Sequence, residues 1–287
     1  MTPRRPYFGK PRLPRRKQMT IGIGILANDG IVIASDTQES GSSLLKGEKT
    51  KMLSFSSFNL GTPELGSMAG ACVISGAGDS GYVRALTEKM GGAFLDNKEG
   101  RSEEIKNKLE EILARFYKEH VIPFASFPSK DRPDVELLIG FYRKFHLDLF
   151  VTEKTVMTRA IPYKAIGIGS VFAELLLGRL WRMSSAKEAE ILAAYIVFMA
   201  KESVEYVGKY TQITTIHGAK VIDSPEGSRL LPPVPPLSHT PWARIDAWER
   251  SFRTVWGAAE QNTIWELIAE EMQDDDPPNK SKQKGKK

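Results

Sequence analysis

The chain has 287 residues, 41% of them hydrophobic, and a formal net charge of +5 at pH 7. This length and composition suit one large domain with appendages. The sequence contains no run of roughly eighteen apolar residues, so no membrane span is expected. The single cysteine, Cys72, excludes an intrachain disulfide and favours a reducing, cytoplasmic compartment. Cys72 lies in the small apolar run AGACVIS and is interpreted as a buried core residue.

The positive charge is concentrated at the two ends of the chain. Residues 1–18 hold seven Lys or Arg side chains and no acid, and residues 273–287 hold five Lys and three Asp. Both segments contain too few apolar residues to pack, so we expect disordered tails around a mildly acidic folded part. The basic tail is interpreted as a dispensable extension or the result of an upstream start codon. Tethering to nucleic acid is the less favoured alternative.

The apolar patterning predicts strands and helices in separate groups. Alternating or continuous apolar runs predict strands at residues 20–28, 31–36, 51–58, 68–75, 134–142, 145–152, 155–161, 210–216 and 219–222. Helical spacing and polar starts predict helices at 80–95, 102–119, 170–181 and 185–206. Helices that come in pairs between groups of strands favour a layered α+β fold over a doubly wound sheet.

The chain beyond residue 228 follows a different pattern from the domain at 19–228. Residues 229–240 are proline-rich and are predicted to be a linker. Residues 241–272 contain four of the five tryptophans in an amphipathic helical pattern, which suits docking on the chain's own domain or on a neighbouring subunit. The four histidines show no metal-ligand spacing, so no metal and no cofactor is expected.

Four motifs in chain order resemble the proteasome β-subunit family of N-terminal nucleophile (Ntn) hydrolases. They are TIGIGILANDGIVIASDTQ, ISGAGDSGYVRAL, AIGIGSVFAELLL and SSAKEAEILAAYIVFMAKES, and the resemblance covers about residues 20–223. The resemblance implies a four-layer αββα sandwich, to which the Trp-rich pattern adds a C-terminal helical extension. It also implies a homo- or hetero-oligomeric ring that acts on peptides or unfolded proteins. The composition predicts no membrane partner, and nucleic acid is not the favoured partner.

The chemistry of such a site depends on residue 20. A threonine hydroxyl needs a base, and a free α-amine, which titrates near pH ~8, could serve if Thr20 began the mature chain. The resemblance implies that Thr20 is the nucleophile, Lys51 the supporting lysine and Asp36 its partner. It also implies that the backbone N–H of Gly76 faces the oxyanion. Lys49 competes with Lys51, because Lys51 requires a one-residue deletion relative to the family.

Five positions depart from the pattern of active family members. Ile168, Val204 and Val207 stand where those members have a serine, an aspartate and a serine that support the threonine. Gln38 replaces an arginine, and Met19 replaces the glycine before the threonine. Three interpretations therefore stay open: a threonine peptidase, a catalytically inactive structural subunit, and a non-peptidase amidohydrolase. Translation from Met19, followed by removal of the methionine, would expose the amine of Thr20.

Overall fold

The computed structural model of the protein describes residues 20–40, 46–48, 50–57, 70–97, 100–128, 132–205, 207–224, 227–231 and 237–258. The predicted tails at 1–18 and 273–287 lie outside the described residues, as does Lys49. None of the described helices is long and apolar enough to cross a membrane.

The described chain forms strands and helices that we number in chain order. The strands are β1 (Ile21–Leu26), β2 (Gly30–Asp36), β3 (Gln38–Ser40), β4 (Lys46–Glu48), β5 (Met52–Ser57), β6 (Gly70–Gly78), β7 (Val135–Arg143), β8 (His146–Glu153), β9 (Val156–Arg159), β10 (Tyr163–Gly167), β11 (Thr211–His217), β12 (Lys220–Ser224), β13 (Gly227–Leu231) and β14 (Leu237–His239). The helices are α1 (Ser80–Asp96), α2 (Ser102–Phe116), α3 (Ser170–Leu180), α4 (Ala186–Ser203) and α5 (Trp242–Ala258).

Two antiparallel five-stranded sheets make up the centre of the molecule. The first sheet has the order β10-β1-β2-β11-β14, and the second has the order β5-β6-β7-β8-β9. Two short ladders, β3–β4 and β12–β13, stand apart from them. This confirms the α+β class predicted from the sequence.

Apolar side chains form three cores around these sheets. One core joins α3, α4 and α5 to the first sheet, and it contains Ile23, Leu177 and Ile245. A second core joins α1 and α2 to the second sheet. The third lies between the sheets and includes Ile33 from the first sheet and Leu138 from the second. Alternation along β2 explains the two-sided burial, because Val32 and Ala34 face the helices while Ile31 and Ile33 face the other sheet.

The register of the first sheet brings four strand ends to one edge. The tight turn from Ala27 to Gly30 sets the β1–β2 pairing, in which Gly22 lies opposite Ser35. On the outer side of β1, Ile21 pairs with Gly167 at the end of β10. On the far side of β2, Asp36 pairs with Thr211 at the start of β11. The start of β1 and the end of β2 are therefore flanked by loops from two other strands.

Two strands of the first sheet lie where the sequence did not predict them. The pattern missed β10, because only Ala165 and Ile166 of its five residues are buried and a period-2 pattern is barely visible. Strand β14 occupies the end of the predicted proline-rich linker at 229–240, whose start overlaps β13. Cross-strand side-chain hydrogen bonds hold β14 on β11: the Thr214 hydroxyl lies 2.9 Å from Nδ1 of His239, and the Ser238 hydroxyl lies 2.7 Å from Nε2 of His217.

The helices follow the predicted order with shifted ends. Helix α2 ends at Phe116 and continues as a π-helical turn to Val121 and a 3-10 turn over Ile122–Phe124, where Pro123 cannot supply an amide hydrogen. Helix α5 covers the first part of the predicted amphipathic helix at 241–272, and the remainder lies outside the described residues. It packs on the chain's own helix α4 through Ile245, Trp248 and Phe252.

We expect Gly78→Ala to destabilise the fold by about 2 kcal/mol or more, because Gly78 has φ of +109° and an added Cβ would lie 2.0 Å from the carbonyl oxygen of Asp134. Urea unfolding measures the change. Gly92→Ala in α1 is the matched control: its Cβ meets no atom within 4 Å, so helix propensity should stabilise the protein by about 0.5–1 kcal/mol. Equal effects of the two substitutions would contradict the left-handed backbone conformation assigned to Gly78.

Candidate active site

Three of the residues singled out from the sequence meet at the edge where β1 starts and β2 ends. Thr20 directly precedes β1, and Asp36 is the last residue of β2. Lys51 directly precedes β5 and therefore arrives from the other sheet. The β1–β2 hairpin brings Thr20 beside Asp36, whereas the stacking of the two sheets brings Lys51 to both.

The three side chains form a closed hydrogen-bonded group. The Thr20 hydroxyl donates to Oδ1 of Asp36 over 2.6 Å and accepts from the Lys51 ammonium over 2.6 Å. The Lys51 ammonium also donates to Oδ1 of Asp36 over 2.9 Å. Thr20 is buried, the Asp36 side chain is 0% exposed and that of Lys51 is 13% exposed. The structure places Lys51 at Thr20, and the other candidate lysine, Lys49, lies outside the described residues.

Main-chain amides complete the environment of the Asp36 carboxylate. The N–H of Ile21 donates to Oδ1 over 3.1 Å. The N–H groups of Gln38 and Gly208 donate to Oδ2 over 3.3 and 3.1 Å. A buried carboxylate needs such partners, because an unpaired charge in the interior is strongly unfavourable. The hydrogen bonds fix the position of the carboxylate that Thr20 and Lys51 share.

The turn after β10 closes the other side of Thr20. Gly167 has φ of +83°, and a Cβ there would lie 2.3 Å from the Thr20 carbonyl oxygen, so a larger residue cannot take its place. The same carbonyl accepts from the Gly169 N–H over 3.4 Å. Glu136 of β7 holds the turn, since its carboxylate accepts from the Gly167 N–H over 3.0 Å. The second sheet thus supports the threonine through Glu136 as well as Lys51.

Gly76 lies next to this group within β6. Its N–H donates to the carbonyl oxygen of Lys51 over 3.2 Å, where the start of β5 pairs with the end of β6. The glycine therefore adjoins the lysine, and its role as an oxyanion donor stays a prediction.

The three aliphatic departures from the expected pattern occupy apolar surroundings or the surface. Val207 is 5% exposed, and both Val207 and Val204 pack into the core between the helices and the first sheet. Ile168, between the two glycines of the turn, is 48% exposed. None of these side chains can donate or accept a hydrogen bond, so they give Thr20 no polar support.

Several groups that position the site were not identified from the sequence. Gly208 and Gly167 act through the main chain, so no side chain marks them in the sequence. Gly167 belongs to the GIGS turn, which the sequence did indicate as a turn. Glu136 is one acid among 35 in the sequence, and no local spacing connects it to residue 167. Only the pairing of strands from distant parts of the chain reveals these contacts.

Cys72 lies apart from the site, in the core beneath α1 and α2. It is fully buried, which confirms the interpretation as a core residue, and burial raises the pKa of its thiol far above the ordinary value. The neutral thiol is a weak nucleophile. In the part of the chain that the structure describes, no group of three or more His, Cys, Asp or Glu side chains could hold a metal ion.

Solved structures with a similar fold include proteins called Anbu. A Gly-1 mutant of Anbu from Hyphomicrobium sp. strain MC1 has a TM-score of 0.63 and 14% identity, over 85% of this chain and 96% of that one. Anbu from Yersinia bercovieri, described as an ancestral beta-subunit, has a TM-score of 0.60 and 15% identity, over 84% and 97%. The helical assembly of the Anbu complex from Pseudomonas aeruginosa has a TM-score of 0.61 and 15% identity, over 90% and 98%.

These likenesses correct the family expected from the sequence. Anbu proteins are distinct from the proteasome β-subunits, so the assignment of the chain to the proteasome β-subunit family is wrong. At 14–15% identity the likeness concerns the fold. No family model matches the sequence, and no curated protein matches it. The motifs led to the wrong family because they describe strands and turns of a fold, and the same fold occurs in separate families.

We expect Lys51→Met to destabilise the protein by about 3 kcal/mol, because it leaves the fully buried Asp36 carboxylate without its cation. Urea unfolding at neutral pH measures the change. Lys164→Met is the matched control. Lys164 pairs with Glu174 over 2.5 Å, but both side chains are more than a third exposed, so its loss should cost less than about 1 kcal/mol. Equal losses would contradict the assigned burial of the Lys51–Asp36 pair.

We expect Glu136→Gln to flatten the dependence of stability on pH. Burial, with a smaller contribution from Asp134, raises the pKa of Glu136 above its ordinary value of 4.5. The folded protein therefore holds this proton at pH values where the unfolded chain has lost it. The stability linked to Glu136 is fully present below pH 4.5 and is lost as pH rises through the raised pKa.

Urea unfolding across this pH range measures the slope. Glutamine keeps an oxygen that can accept from the Gly167 N–H, so the fold should persist while the fall in stability becomes smaller. Glu153→Gln, an exposed position at the end of β8, is the control and should leave the slope unchanged. A slope that is the same in wild type and Glu136→Gln would show that Glu136 does not carry this proton.

Proposed function

We propose that this protein is a threonine-type peptidase in which Thr20, as the first residue of the mature chain, attacks peptide bonds. The observation that carries the proposal is the Thr20 hydroxyl, which bridges the Asp36 carboxylate and the Lys51 ammonium with 2.6 Å hydrogen bonds. The Lys51 ammonium can stabilise negative charge that develops on the hydroxyl oxygen, and an ordinary strand threonine has no such cation against it.

The reaction uses the free amine of Thr20 as its base. The amine takes the proton of the Thr20 hydroxyl while the hydroxyl oxygen bonds to the substrate carbonyl carbon. The Lys51 ammonium lies against that oxygen and stabilises the developing negative charge. Collapse of the tetrahedral intermediate breaks the C–N bond, and the leaving amine takes the proton from the Thr20 ammonium. Water then hydrolyses the ester and releases the second product.

The amine must be exposed before this chemistry is possible, because an amide nitrogen is not basic. Met19 precedes Thr20 in the sequence. Translation from Met19 and removal of the methionine would expose the amine without self-cleavage. The Gly76 N–H is the proposed oxyanion donor, which requires that a substrate oxygen compete with the Lys51 carbonyl for it.

The active form is an oligomer in this proposal. The Anbu complex from Pseudomonas aeruginosa forms a helical assembly, and the likeness in fold supports a higher-order assembly here. The order of the three cores supports a four-layer αββα arrangement, with α1 and α2 on one outside and α3 and α4 on the other. Peptides or unfolded proteins are the proposed substrates, and the cytoplasm is the proposed compartment.

The second candidate is a catalytically inactive structural subunit of such an assembly. Val204 and Val207 favour it, since they are packed into the helix-side core and offer the amine of Thr20 no acceptor. The two candidates share a fold and differ in whether Thr20 reacts.

A covalent inhibitor separates the two candidates. The chain expressed from Met19 should lose the methionine, begin at Thr20 and gain the mass of one β-lactone or epoxyketone molecule. Intact-mass spectrometry detects both events, and peptide mapping locates the adduct. Thr20→Ala should abolish the adduct, whereas Thr155→Ala, an exposed turn position, should form it at the wild-type rate.

Thermal unfolding of Thr20→Ala shows whether the loss reflects chemistry or folding, since the hydroxyl also bonds Asp36. A chain that begins at Thr20 and is folded but forms no adduct would support the structural subunit. A mature chain from the native cell that still begins at Met1 would rule out the peptidase mechanism.

A further inference from the structure

Helix α5 packs close to the active site although it lies more than 200 residues from Thr20 in the sequence. Its buried face rests on α4, where the Phe252 ring meets the Tyr195 ring edge-on at 5.3 Å between centroids. At its start, the Trp242 ring meets the Tyr210 ring edge-on at 4.8 Å. Tyr210 immediately precedes β11, so α5 contacts the segment that leads into a central strand of the first sheet.

Glu249 is the polar residue through which α5 joins this segment. Its Oε1 accepts from the Lys201 ammonium over 2.5 Å and from the Thr211 hydroxyl over 2.6 Å. The Lys201 ammonium also donates to the carbonyl oxygen of Lys209 over 3.3 Å. The side chains of Lys201 and Glu249 are 10% and 20% exposed, so the ion pair is largely shielded from solvent screening. The Lys201–Glu249 pair thus holds both ends of the short segment 209–211. Lys201 of α4 binds the Lys209 carbonyl, and Glu249 of α5 binds the Thr211 hydroxyl.

That segment continues directly into the group that holds Asp36. The Gly208 N–H donates to Oδ2 of Asp36, and Thr211 is the register partner of Asp36 across the sheet. Tyr210 exchanges hydrogen bonds with Thr37: its N–H donates to the Thr37 hydroxyl over 3.0 Å, and its carbonyl accepts from the Thr37 N–H over 2.9 Å. The segment therefore lies between Glu249 and the catalytic carboxylate.

The backbone of this segment needs external support. Lys209 has φ of +63°, a left-handed conformation that a residue with a side chain adopts at a cost. The conformation places the Lys209 carbonyl against the Lys201 ammonium and the Gly208 N–H against Asp36. Removal of the cation or of its partner would let the segment relax and withdraw the Gly208 N–H.

We propose that Glu249 and Lys201 are positioning residues, which fix segment 207–210 so that the Gly208 N–H orients the Asp36 carboxylate toward Thr20. Helix α5 is then a structural part of the active site. The support that Gly208 gives reaches Thr20 through the Asp36 carboxylate, to which its N–H donates. The catalytic consequence rests on the proposed peptidase function, whereas the effect on the Gly208 N–H does not.

The test compares Glu249→Gln with Arg253→Gln. Arg253 forms a 2.9 Å ion pair with Glu202 and so joins the same two helices, but both side chains are exposed and neither contacts segment 207–210. In Glu249→Gln the amide hydrogen of Gly208 should exchange about tenfold faster than in wild type, because a charge-assisted link to its segment is lost. Arg253→Gln should leave that exchange rate unchanged. Hydrogen-exchange mass spectrometry of peptides spanning residues 204–212 gives the rates.

The rate of β-lactone adduct formation at Thr20 provides the second readout. It should fall about tenfold in Glu249→Gln and in Lys201→Met, and Lys201→Arg, which keeps the cation, should restore most of it. Glu249→Gln should lower the unfolding temperature more than Arg253→Gln, because the Lys201–Glu249 pair is largely buried and the Arg253–Glu202 pair is exposed, and both rates are measured at a temperature where each variant is fully folded. If Glu249→Gln does not fold, Lys201→Met and Lys201→Arg carry the comparison.

The outcomes distinguish this proposal from the proposed function. Equal Gly208 exchange rates in Glu249→Gln and Arg253→Gln overturn it, and so does faster exchange with an unchanged adduct rate. A wild-type protein that forms no adduct contradicts the peptidase function, and the exchange rates then still decide whether Glu249 fixes the segment.

Discussion

The burial of the Asp36 carboxylate is the constraint on which this end of the molecule depends. A charge with no exposed surface requires partners on every side, and the structure draws them from four separate parts of the chain. They are the start of β1, the start of β3, the residue before β5 and the loop before β11. Two sheets and a helix-to-strand loop must therefore be in register before the carboxylate can be accommodated.

The same requirement explains why the site is built largely from main-chain donors. Loops next to strand ends have amides that no ladder partner uses, and a buried acceptor can take them. Gly208, in the loop before β11, donates such an amide to Asp36, and Gly169, in the turn after β10, donates one to the Thr20 carbonyl. The aliphatic side chains at 168, 204 and 207 contribute no hydrogen bond to this arrangement, whereas the neighbouring Gly169 and Gly208 contribute main-chain amides.

Patterns local in sequence were predicted well, and contacts between distant segments were not. Strands β1 and β2, their turn and the order of helices followed from apolar alternation and spacing. Thr20 and Asp36 were singled out through the family resemblance, and the β1–β2 hairpin brings them together, while their roles stay predictions. The sequence could not decide between Lys49 and Lys51 as the lysine beside Thr20, because the start of a strand is uncertain by a few residues in sequence. Strands β10 and β14 were missed, since one has few buried residues and the other follows a proline-rich stretch.

What the sequence alone determined is therefore the class of fold and the two-strand frame at residues 20–36. Both depend on interactions between residues close along the chain, which periodicity and turn chemistry reveal. Tertiary structure decided the rest: that Lys51 reaches Thr20, that Gly208 and Glu136 complete the surroundings, and that α5 adjoins the site. These contacts arise when two sheets stack and a C-terminal helix docks, and the free energy of burying the intervening apolar surfaces, not any local motif, specifies them.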